Sequence, residues 1–355
     1  MNAQGSAAPG FSPERICALI RKSIDRTGLD LSGMTILTEA ATGVYGVTAA
    51  IAALAGAQRV VAVGRSSPYG TAEQAAQWTL KLARLCGAVE RVSVLNAIPD
   101  NLDDVDIVTN SGHLRPLDAD VVSKLPARCV IGLMFEAWEF RESDIDARAC
   151  KARRIPIVGV NERHSSVDVF SYLGPLCVRL LHGAGLSVYG NRIALLCDNA
   201  FSYYIVRSLQ GLGALVSAFE GYGAIPPDAW DSVLVALSPA SKPRIGRGEA
   251  KRIAQVAPGA VLAQLWGDLD RNALEAERVP VWPARSPKPG HMAMLLSEIG
   301  PEPIIRLQAG GLRAAEWVYR HGAITPSGIA QLVSYETSAG ASPDLAAASG
   351  PRPLR

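Results

Sequence analysis

Residues 167–197 read VDVFSYLGPLCVRLLHGAGLSVYGNRIALLC, and this stretch decides how the 355-residue chain is organised. Its first part, Val167–Ala184, has the apolar spacing of a long helix. Its end, Arg192–Cys197, is a short apolar run of strand length. Alternating strand-like and helix-like segments occur on both sides of this stretch. We therefore predict two α/β domains joined by the long helix.

On the N-terminal side, short apolar runs alternate with amphipathic segments. The predicted strands are Met34–Thr38, Arg59–Val63, Val92–Leu95, Val105–Thr109, Cys129–Phe135 and Ile155–Val160. The predicted helices are 13–29, Val44–Ala55, Thr71–Cys86, Leu117–Lys124 and Ser143–Arg153. Strands separated by helices indicate βαβ units and a parallel sheet. We predict a lead-in and helix over residues 1–30 and a doubly wound, Rossmann-like domain over 31–165.

The same alternation starts again after the long helix. The predicted strands are Arg192–Cys197, Leu215–Phe219, Ser232–Leu237, Ala260–Leu265 and Val279–Trp282, and the helices are Phe201–Leu212 and Gly248–Val256. We predict a connecting helix over 166–187 and a second Rossmann-like domain over 188–288. Helices in 289–337 are expected to pack back on the first domain, with a flexible tail over 338–355. The two domains are expected to face each other across a cleft.

Composition limits the functions that are open to the chain. Hydrophobic residues make up 48% and the net charge is +2, without a basic stripe or an acidic tail, so we expect neither nucleic-acid nor membrane binding. The N-terminus lacks the pattern of a signal peptide, which favours the cytoplasm. The six cysteines form no CxxC pair, so we expect buried reduced thiols. No metal site is expected, and the predicted partners are a small-molecule substrate and a second copy in a homodimer.

Residues 144–274 resemble the D-2-hydroxyacid dehydrogenase superfamily. The resemblance lies in DIDARACKARRIPIVGVNE (144–162), NRIALLC (191–197), LGALVSAF (212–219), DSVLVALSPAS (231–241) and APGAVLAQLWGDLDRNAL (257–274). It implies that the second domain corresponds to the family's cofactor domain. His291, in Lys-Pro-Gly-His, is similar to the family's Pro-x-His, which implies a general acid or base. The alternative is a helix-capping or surface histidine.

The second domain departs from the family at two positions. A dinucleotide site needs glycines after the first strand, because the backbone turns tightly there and approaches the pyrophosphate. The corresponding turn, Cys197–Ser202, contains no glycine, and Asp198 brings a negative charge to it. Where the family has a catalytic Arg, this chain has Trp266. Two features that define the dehydrogenase are therefore missing.

A second candidate for a nucleotide site lies in the first domain. Ala41, Thr42, Gly43 and Gly46 form an Ala-x-Gly-x-x-Gly turn that follows a strand and opens a helix. The next strand is followed by Arg65-Ser66-Ser67, which suits the 2′-phosphate of NADP better than the ribose of NAD. Arg65 also argues against S-adenosylmethionine. The alternative is that the small residues serve only helix–sheet packing.

Polar side chains follow many of the predicted strands, where open α/β sheets bind ligands. The catalytic candidates besides His291 are Glu136, Glu139 and His113, and the substrate-binding candidates are Asn110, Ser111, Trp138, Asn161, Asp198, Asn199 and Trp266. Two carboxylates beside a Trp suit a cationic or polyhydroxylated substrate, or acid–base work. The alternative for this segment is a solvated loop that its Trp anchors.

Three functions remain open from the sequence. The first is an NAD- or NADP-dependent oxidoreductase acting on a small polar substrate in the cleft. The second is a lyase or transferase on the same scaffold, built from the carboxylates and histidines. The third is a non-catalytic ligand-binding protein. Because folds do not fix functions, the resemblance alone does not choose among them.

Overall fold

The computed structural model of the protein describes residues 8–322 and 328–334. These residues divide into two compact units. Unit 1 comprises the described residues up to Val169 together with those from Gly300 onward, and unit 2 comprises Phe170–Ile299. The predicted cleft between two domains stays a prediction. The lead-in before residue 8 and the predicted tail over 338–355 lie outside the described residues.

The strands, in chain order, are β1 (Thr35–Glu39), β2 (Arg59–Val63), β3 (Val92–Leu95), β4 (Ile107–Asn110), β5 (Val130–Leu133), β6 (Ile157–Val160), β7 (Arg192–Leu196), β8 (Leu215–Phe219), β9 (Ser232–Ala236), β10 (Val261–Trp266), β11 (Val281–Trp282) and β12 (Ala330–Leu332). The α-helices are α1 (Pro13–Thr27), α2 (Thr48–Leu54), α3 (Ala72–Cys86), α4 (Ala119–Lys124), α5 (Ala147–Arg153), α6 (Leu173–Gly183), α7 (Phe201–Gly211), α8 (Arg247–Val256), α9 (Arg271–Ala276) and α10 (Glu302–His321).

Unit 1 is built on a seven-stranded sheet in the order β12-β6-β5-β4-β1-β2-β3. The pairs from β6 to β3 are parallel, and β12 joins β6 in the antiparallel direction. The chain reverses its direction across the sheet between β1 and β4, so the carboxyl ends of these strands form a topological switch point. The long helix α10 packs on β5 and β6, where Gly132 lies against Ala315.

Unit 2 is built on a five-stranded parallel sheet in the order β11-β10-β9-β7-β8. Its switch point lies between β7 and β9. Apart from Arg192, which is exposed at the start of β7, the residues of β7 and β9 are buried and most are apolar, as in parallel strands covered on both faces. The predicted fold of two doubly wound parallel-sheet units is confirmed by the two sheets.

The helix predicted to connect the domains is instead an element of unit 2. Helix α6 begins only at Leu173 and packs against α7, and its apolar face lies in the unit 2 core through residues such as Leu176 and Leu180. Residues 289–299, which were expected on the first domain, also belong to unit 2. There the N–H of Ala293 donates to the carbonyl of Leu265 at 2.8 Å. Helix α10 is the part that packs within unit 1.

The turn after β1 explains why the predicted helix 44–55 splits. Residues Gly43–Val47 form a 3₁₀ turn, and the α-helix begins at Thr48. A Cβ atom at Gly46 would lie 2.1 Å from the carbonyl oxygen of Ala41. Gly43 has φ +64°, in the left-handed region. Both glycines therefore have a backbone reason to be present.

The prediction of reduced cysteines needs one correction. Cys17 in α1 and Cys86 at the end of α3 form a disulfide, which joins positions 69 residues apart. The other four cysteines are free and buried. No described helix is both long and apolar enough to cross a membrane.

Candidate functional site

The carboxyl ends of β1, β4, β5 and β6 carry several buried polar side chains. Glu39, Asn110, Ser111, Glu136 and Glu162 are all less than one tenth exposed, although charged and amide groups normally stay in water. These strands are neighbours in one sheet, so their ends lie along one edge. We call it the unit 1 edge.

At the switch point, Glu39 and His113 hold each other in place. The backbone N–H of His113 donates to Oε2 of Glu39 at 3.1 Å. Burial raises the pKa of Glu39 above its ordinary value, although the hydrogen bond from the His113 N–H acts in the opposite direction. His113 Nδ1 lies 2.7 Å from the carbonyl oxygen of Ala40 and 3.3 Å from the N–H of Arg65. The shorter contact assigns the proton to Nδ1, which leaves Nε2 as the acceptor of the neutral ring.

Asn110 and Ser111 continue this edge at the end of β4. The Arg115 guanidinium donates to Oδ1 of Asn110 at 3.0 Å and to its carbonyl oxygen at 2.8 Å. The Nδ2 atom of Asn110 is buried and has no hydrogen-bond partner within residues 8–322 and 328–334. Ser111 Oγ lies 2.6 Å from the hydroxyl of Thr109, which in turn lies 2.8 Å from that of Thr38. An unmet amide donor thus sits beside a chain of hydroxyl groups.

Three carboxyl groups, Glu136, Glu139 and Glu162, form what we call the carboxylate trio at the ends of β5 and β6. Glu136 accepts hydrogen bonds from the Trp138 indole N–H at 2.7 Å and from the backbone N–H of Glu162 at 3.2 Å. Burial and the charge of Glu136 raise the pKa of Glu139 to about 7. Burial, with the charges of the other two, raises the pKa of Glu162 well above its ordinary value.

The remaining predicted residues of this region frame the trio. Trp138 is 40% exposed, and its indole N–H donates to Glu136. Asn161 Nδ2 donates to the carbonyl of Gly328 at 2.7 Å, and its Oδ1 accepts the N–H of Arg163 at 3.1 Å. Both ends of the Asn161 amide are therefore hydrogen-bonded to backbone groups. Among the described residues, no group of three or more His, Cys, Asp or Glu side chains is arranged to hold a metal ion.

The turn at Ala41–Gly46 and the segment Arg65-Ser66-Ser67 lie at the ends of the adjacent strands β1 and β2. Ser66 and Ser67 hydroxyls accept the N–H groups of Ala72 and Tyr69 at 3.2 Å each, so both shape their own loop. Arg65 is exposed, and its guanidinium forms no ion pair with any residue that the structure describes. Its charge is available to an anionic ligand.

In unit 2 the predicted site residues Asp198, Asn199 and Trp266 are each held by neighbouring residues of the unit. Asp198 Oδ1 accepts the N–H of Ser238 at 2.8 Å, and its Oδ2 pairs with Arg244 at 2.8 Å. Asn199 Nδ2 donates to the carbonyl of Ala236 at 2.9 Å. The Trp266 ring stacks on Phe201 at 5.2 Å, and its N–H donates to the carbonyl of Gly290.

His291 lies apart from the residues of the unit 1 edge in sequence and belongs to unit 2. Its side chain is exposed, and Nδ1 lies 2.9 Å from the carbonyl oxygen of Pro289. The role of His291 as acid or base, like the roles of all predicted site residues, stays a prediction.

Solved structures share this architecture. A dipicolinate synthase polypeptide from Bacillus subtilis matches with a TM-score of 0.55 and 12% identity, over 82% of this chain and 99% of that one. The corresponding dipicolinate synthase polypeptide from Bacillus halodurans matches with a TM-score of 0.52 and 12% identity, over 79% of this chain and 96% of that one. The chain shares their fold.

A D-isomer specific 2-hydroxyacid dehydrogenase from Lactobacillus delbrueckii ssp. bulgaricus, in its NAD complexed form, matches with a TM-score of 0.48 and 13% identity, over 83% of this chain and all of that one. No family model and no curated protein matches the chain in sequence. The likeness to the dipicolinate synthase structures is distant in sequence, as the predicted resemblance was, and it extends to the fold alone.

Two partners in these clusters were not predicted from the sequence. Arg244 follows Asp198 by 46 residues in an irregular loop, and nothing in its neighbours marks it as the ion-pair partner. Glu162 stands beside His164 in the sequence, whereas in the structure it belongs with Glu136 and Glu139. The order of strands would have suggested this pairing, because β5 and β6 are adjacent and parallel.

Proposed function

We propose that the chain is an enzyme that moves protons on a small polar substrate bound at the unit 1 edge. The observation that carries this proposal is the carboxylate trio, in which Glu139 has a pKa of about 7 beside the fixed carboxylate of Glu136. A group with such a pKa exchanges its proton readily at neutral pH, as a general acid or base must.

The other groups of the edge suit binding and orientation. The carboxyl groups of the trio favour a substrate that carries an amino group, and the partly exposed Trp138 suits contact with its apolar or cationic part. The free Nδ2 of Asn110 can donate to a substrate oxygen. His113 provides a second acceptor through Nε2, since its Nδ1 is held by Ala40.

A second candidate is an oxidoreductase that uses NADP or NAD in unit 1. The observation in its favour is Arg65, which lies two residues after β2, is exposed and forms no ion pair with the part of the chain that the structure describes. Thr42 and Gly43 also have backbone N–H groups without an acceptor in the described ranges. These residues, with Ser66 and Ser67, would hold the phosphates, and the nicotinamide would supply a hydride when bound. A cytoplasmic homodimer stays part of the proposal.

The first proposal is tested by proton exchange, which needs no knowledge of the natural substrate. The full chain is incubated in D₂O with a panel of small amino, hydroxy and oxo acids, and loss of C–H signals is followed by proton NMR. We expect exchange in at least one compound and a rate roughly 100-fold lower in Glu139→Gln. Glu142→Gln, an exposed carboxyl in the same segment, is the matched control and keeps the wild-type rate. Wild-type exchange in Glu139→Gln, or none with any compound, contradicts the proposal.

The second candidate is tested by titrating NADPH and NADH and following nucleotide fluorescence. We expect NADPH to bind more tightly than NADH and Arg65→Ala to remove that preference, because the guanidinium is the group that would hold the 2′-phosphate. Equal or absent binding of both nucleotides excludes this candidate and leaves the first one untouched.

A further inference from the structure

The unit 2 switch point is where the fold would receive a dinucleotide. Such a ligand needs free backbone N–H groups at the turn after the first strand, and room for a doubly charged pyrophosphate. One residue of unit 2 fits this use: Glu220 directly follows β8, where an acid can hold the ribose hydroxyls. The turn after β7 is the deciding element.

The side chain of Asp198 crosses the switch point and uses the groups that an anion would need. One carboxylate oxygen accepts the N–H of Ser238, which follows β9, and the other pairs with Arg244. Arg244 also donates to the carbonyl of Ser238 at 2.7 Å, which closes the loop of contacts. Burial alone would raise the pKa of Asp198, yet the Ser238 N–H and the Arg244 charge hold it below its ordinary value.

Asn199 closes the same turn from the other side. Its Nδ2 donates to the carbonyl of Ala236 at the end of β9, and its Oδ1 accepts the N–H of Phe201 at 3.0 Å. Phe201 is the first residue of α7. The helix N–H that would face a phosphate is thus already bonded, and the Phe201 ring is stacked on Trp266.

We infer that the unit 2 switch point is closed to a dinucleotide, and that the carboxylate of Asp198 is the internal anion that occupies its place. A pyrophosphate would have to displace the Asp198 carboxylate from Ser238 and Arg244. If Asp198 stayed in place, its negative charge would repel the pyrophosphate. The residues at this position therefore do not fit NAD or NADP, and any nucleotide that the chain binds goes elsewhere.

The first test is hydrogen exchange of the full wild-type chain, read by mass spectrometry with and without millimolar NADH or NADPH. We expect no added protection in peptides covering 197–202 and 236–240, whether or not either nucleotide binds elsewhere. Protection of these peptides overturns the inference. If that protection is lost in Glu220→Ala, the ligand binds in the usual Rossmann manner.

The second test removes the Asp198 carboxylate and adds a small anion, formate, in its place. Asp198→Gly leaves the Ser238 N–H and Arg244 without their carboxylate, so we expect a lower melting temperature. Sodium formate should restore at least half of the loss with a saturating dependence, whereas sodium chloride at equal concentration should not. The wild type and Glu220→Ala, whose carboxyl is exposed, should show no such gain. A melting temperature of Asp198→Gly that formate leaves unchanged contradicts the assignment of an anion site; if this variant does not fold, the exchange experiment on the wild type decides.

Discussion

In both units, polar side chains follow the carboxyl ends of the parallel strands. The two units differ in the charges that surround the carboxyl groups there. In unit 2, Asp198 faces Arg244 across the switch point, so opposite charges meet and the carboxylate is satisfied. At the unit 1 edge, Glu139 lies beside Glu136 and Glu162 in a largely buried place. Arg163 pairs with Glu136 at 3.9 Å, yet the pKa values of Glu139 and Glu162 are still raised. The first arrangement serves folding, whereas the second opposes it. A cost of this kind points to a role in binding or catalysis.

The largest effect is expected from a substitution in the turn after β1, in unit 1. Gly46→Ala places a Cβ atom 2.1 Å from the Ala41 carbonyl oxygen, and the backbone must shift to relieve the clash. We expect a loss of about 4 kcal/mol in the free energy of unfolding of unit 1, in the range of severe overpacking. Urea unfolding followed by tryptophan fluorescence measures it.

The matched control for that variant is Gly248→Ala in α8. A Cβ atom at Gly248 meets nothing within 4 Å, so alanine should leave stability unchanged or raise it by about 0.5 kcal/mol. An equal loss of unfolding free energy in both variants would show that the Ala41–Gly46 turn is packed no more tightly than Gly248 in α8.

The pH dependence of stability should have opposite signs in the two units. The folded pKa of Glu139, about 7, lies above its ordinary value of 4.5, so its contribution is full below pH 4.5 and is lost as the pH rises through 7. The folded pKa of Asp198 lies below 3.8, so its contribution is full above pH 3.8 and is lost as the pH falls through the lowered value. We expect unit 1 to lose about 2 kcal/mol between pH 4.5 and 7.5.

Native-state hydrogen exchange of β1 and β4 against β7 and β9, corrected for intrinsic exchange rates, reports on each unit separately. Glu139→Gln should flatten the unit 1 curve and leave the unit 2 curve as it was. A unit 1 stability that rises with pH over this interval would contradict the assignment of Glu139.

Two arginines, one in each unit, should differ in their contribution to the free energy of unfolding. Arg244 pairs with Asp198 and donates to Ser238, so Arg244→Ala should cost about 2 kcal/mol in unfolding free energy. Arg65 is exposed and forms no ion pair within the described ranges, so Arg65→Ala should cost less than about 0.5 kcal/mol. Thermal melts of the two variants side by side test this, and equal costs would remove the distinction between a structural and a free arginine.

The smallest effect concerns the interior of the carboxylate trio. Glu136→Gln keeps the acceptor for the Trp138 N–H and removes the negative charge, so the pKa of Glu139 should fall by about one unit. It should remain above 4.5, because burial is the larger cause. Carbon NMR of labelled glutamate measures the change, and an unmoved pKa would show that the two carboxyl groups do not interact.

Much of the fold was predictable because strands of parallel sheets are short apolar runs. Arg59–Val63, Val92–Leu95 and Leu215–Phe219 were predicted with their observed bounds. The short strand β12 was missed, since its three residues carry no periodic pattern and its pairing with β6 is set by the tertiary structure. The Cys17–Cys86 disulfide was missed for a similar reason, because its partners are distant in sequence.

The candidate site was predictable in position and not in its contacts. The ends of the strands indicated Asn110, His113 and Glu136, because polar residues after apolar runs mark the ligand-binding edge. The contacts between charged side chains at these strand ends also involve residues from loops. The sequence pattern does not predict how those loops pack. Asp198 was therefore predicted to bind substrate, while in the structure it is bonded to Ser238 and Arg244.

Carbon NMR titration of the wild-type carboxyl groups compares the raised carboxyl pKa values of the unit 1 edge with the paired carboxylate of unit 2. We expect one glutamate carboxyl that titrates near pH 7 and disappears in Glu139→Gln, together with an Asp198 carboxyl that stays ionised down to pH values below 3.8. A Glu139 carboxyl that titrates near its ordinary 4.5, or an Asp198 carboxyl that titrates above 3.8, would contradict this expectation.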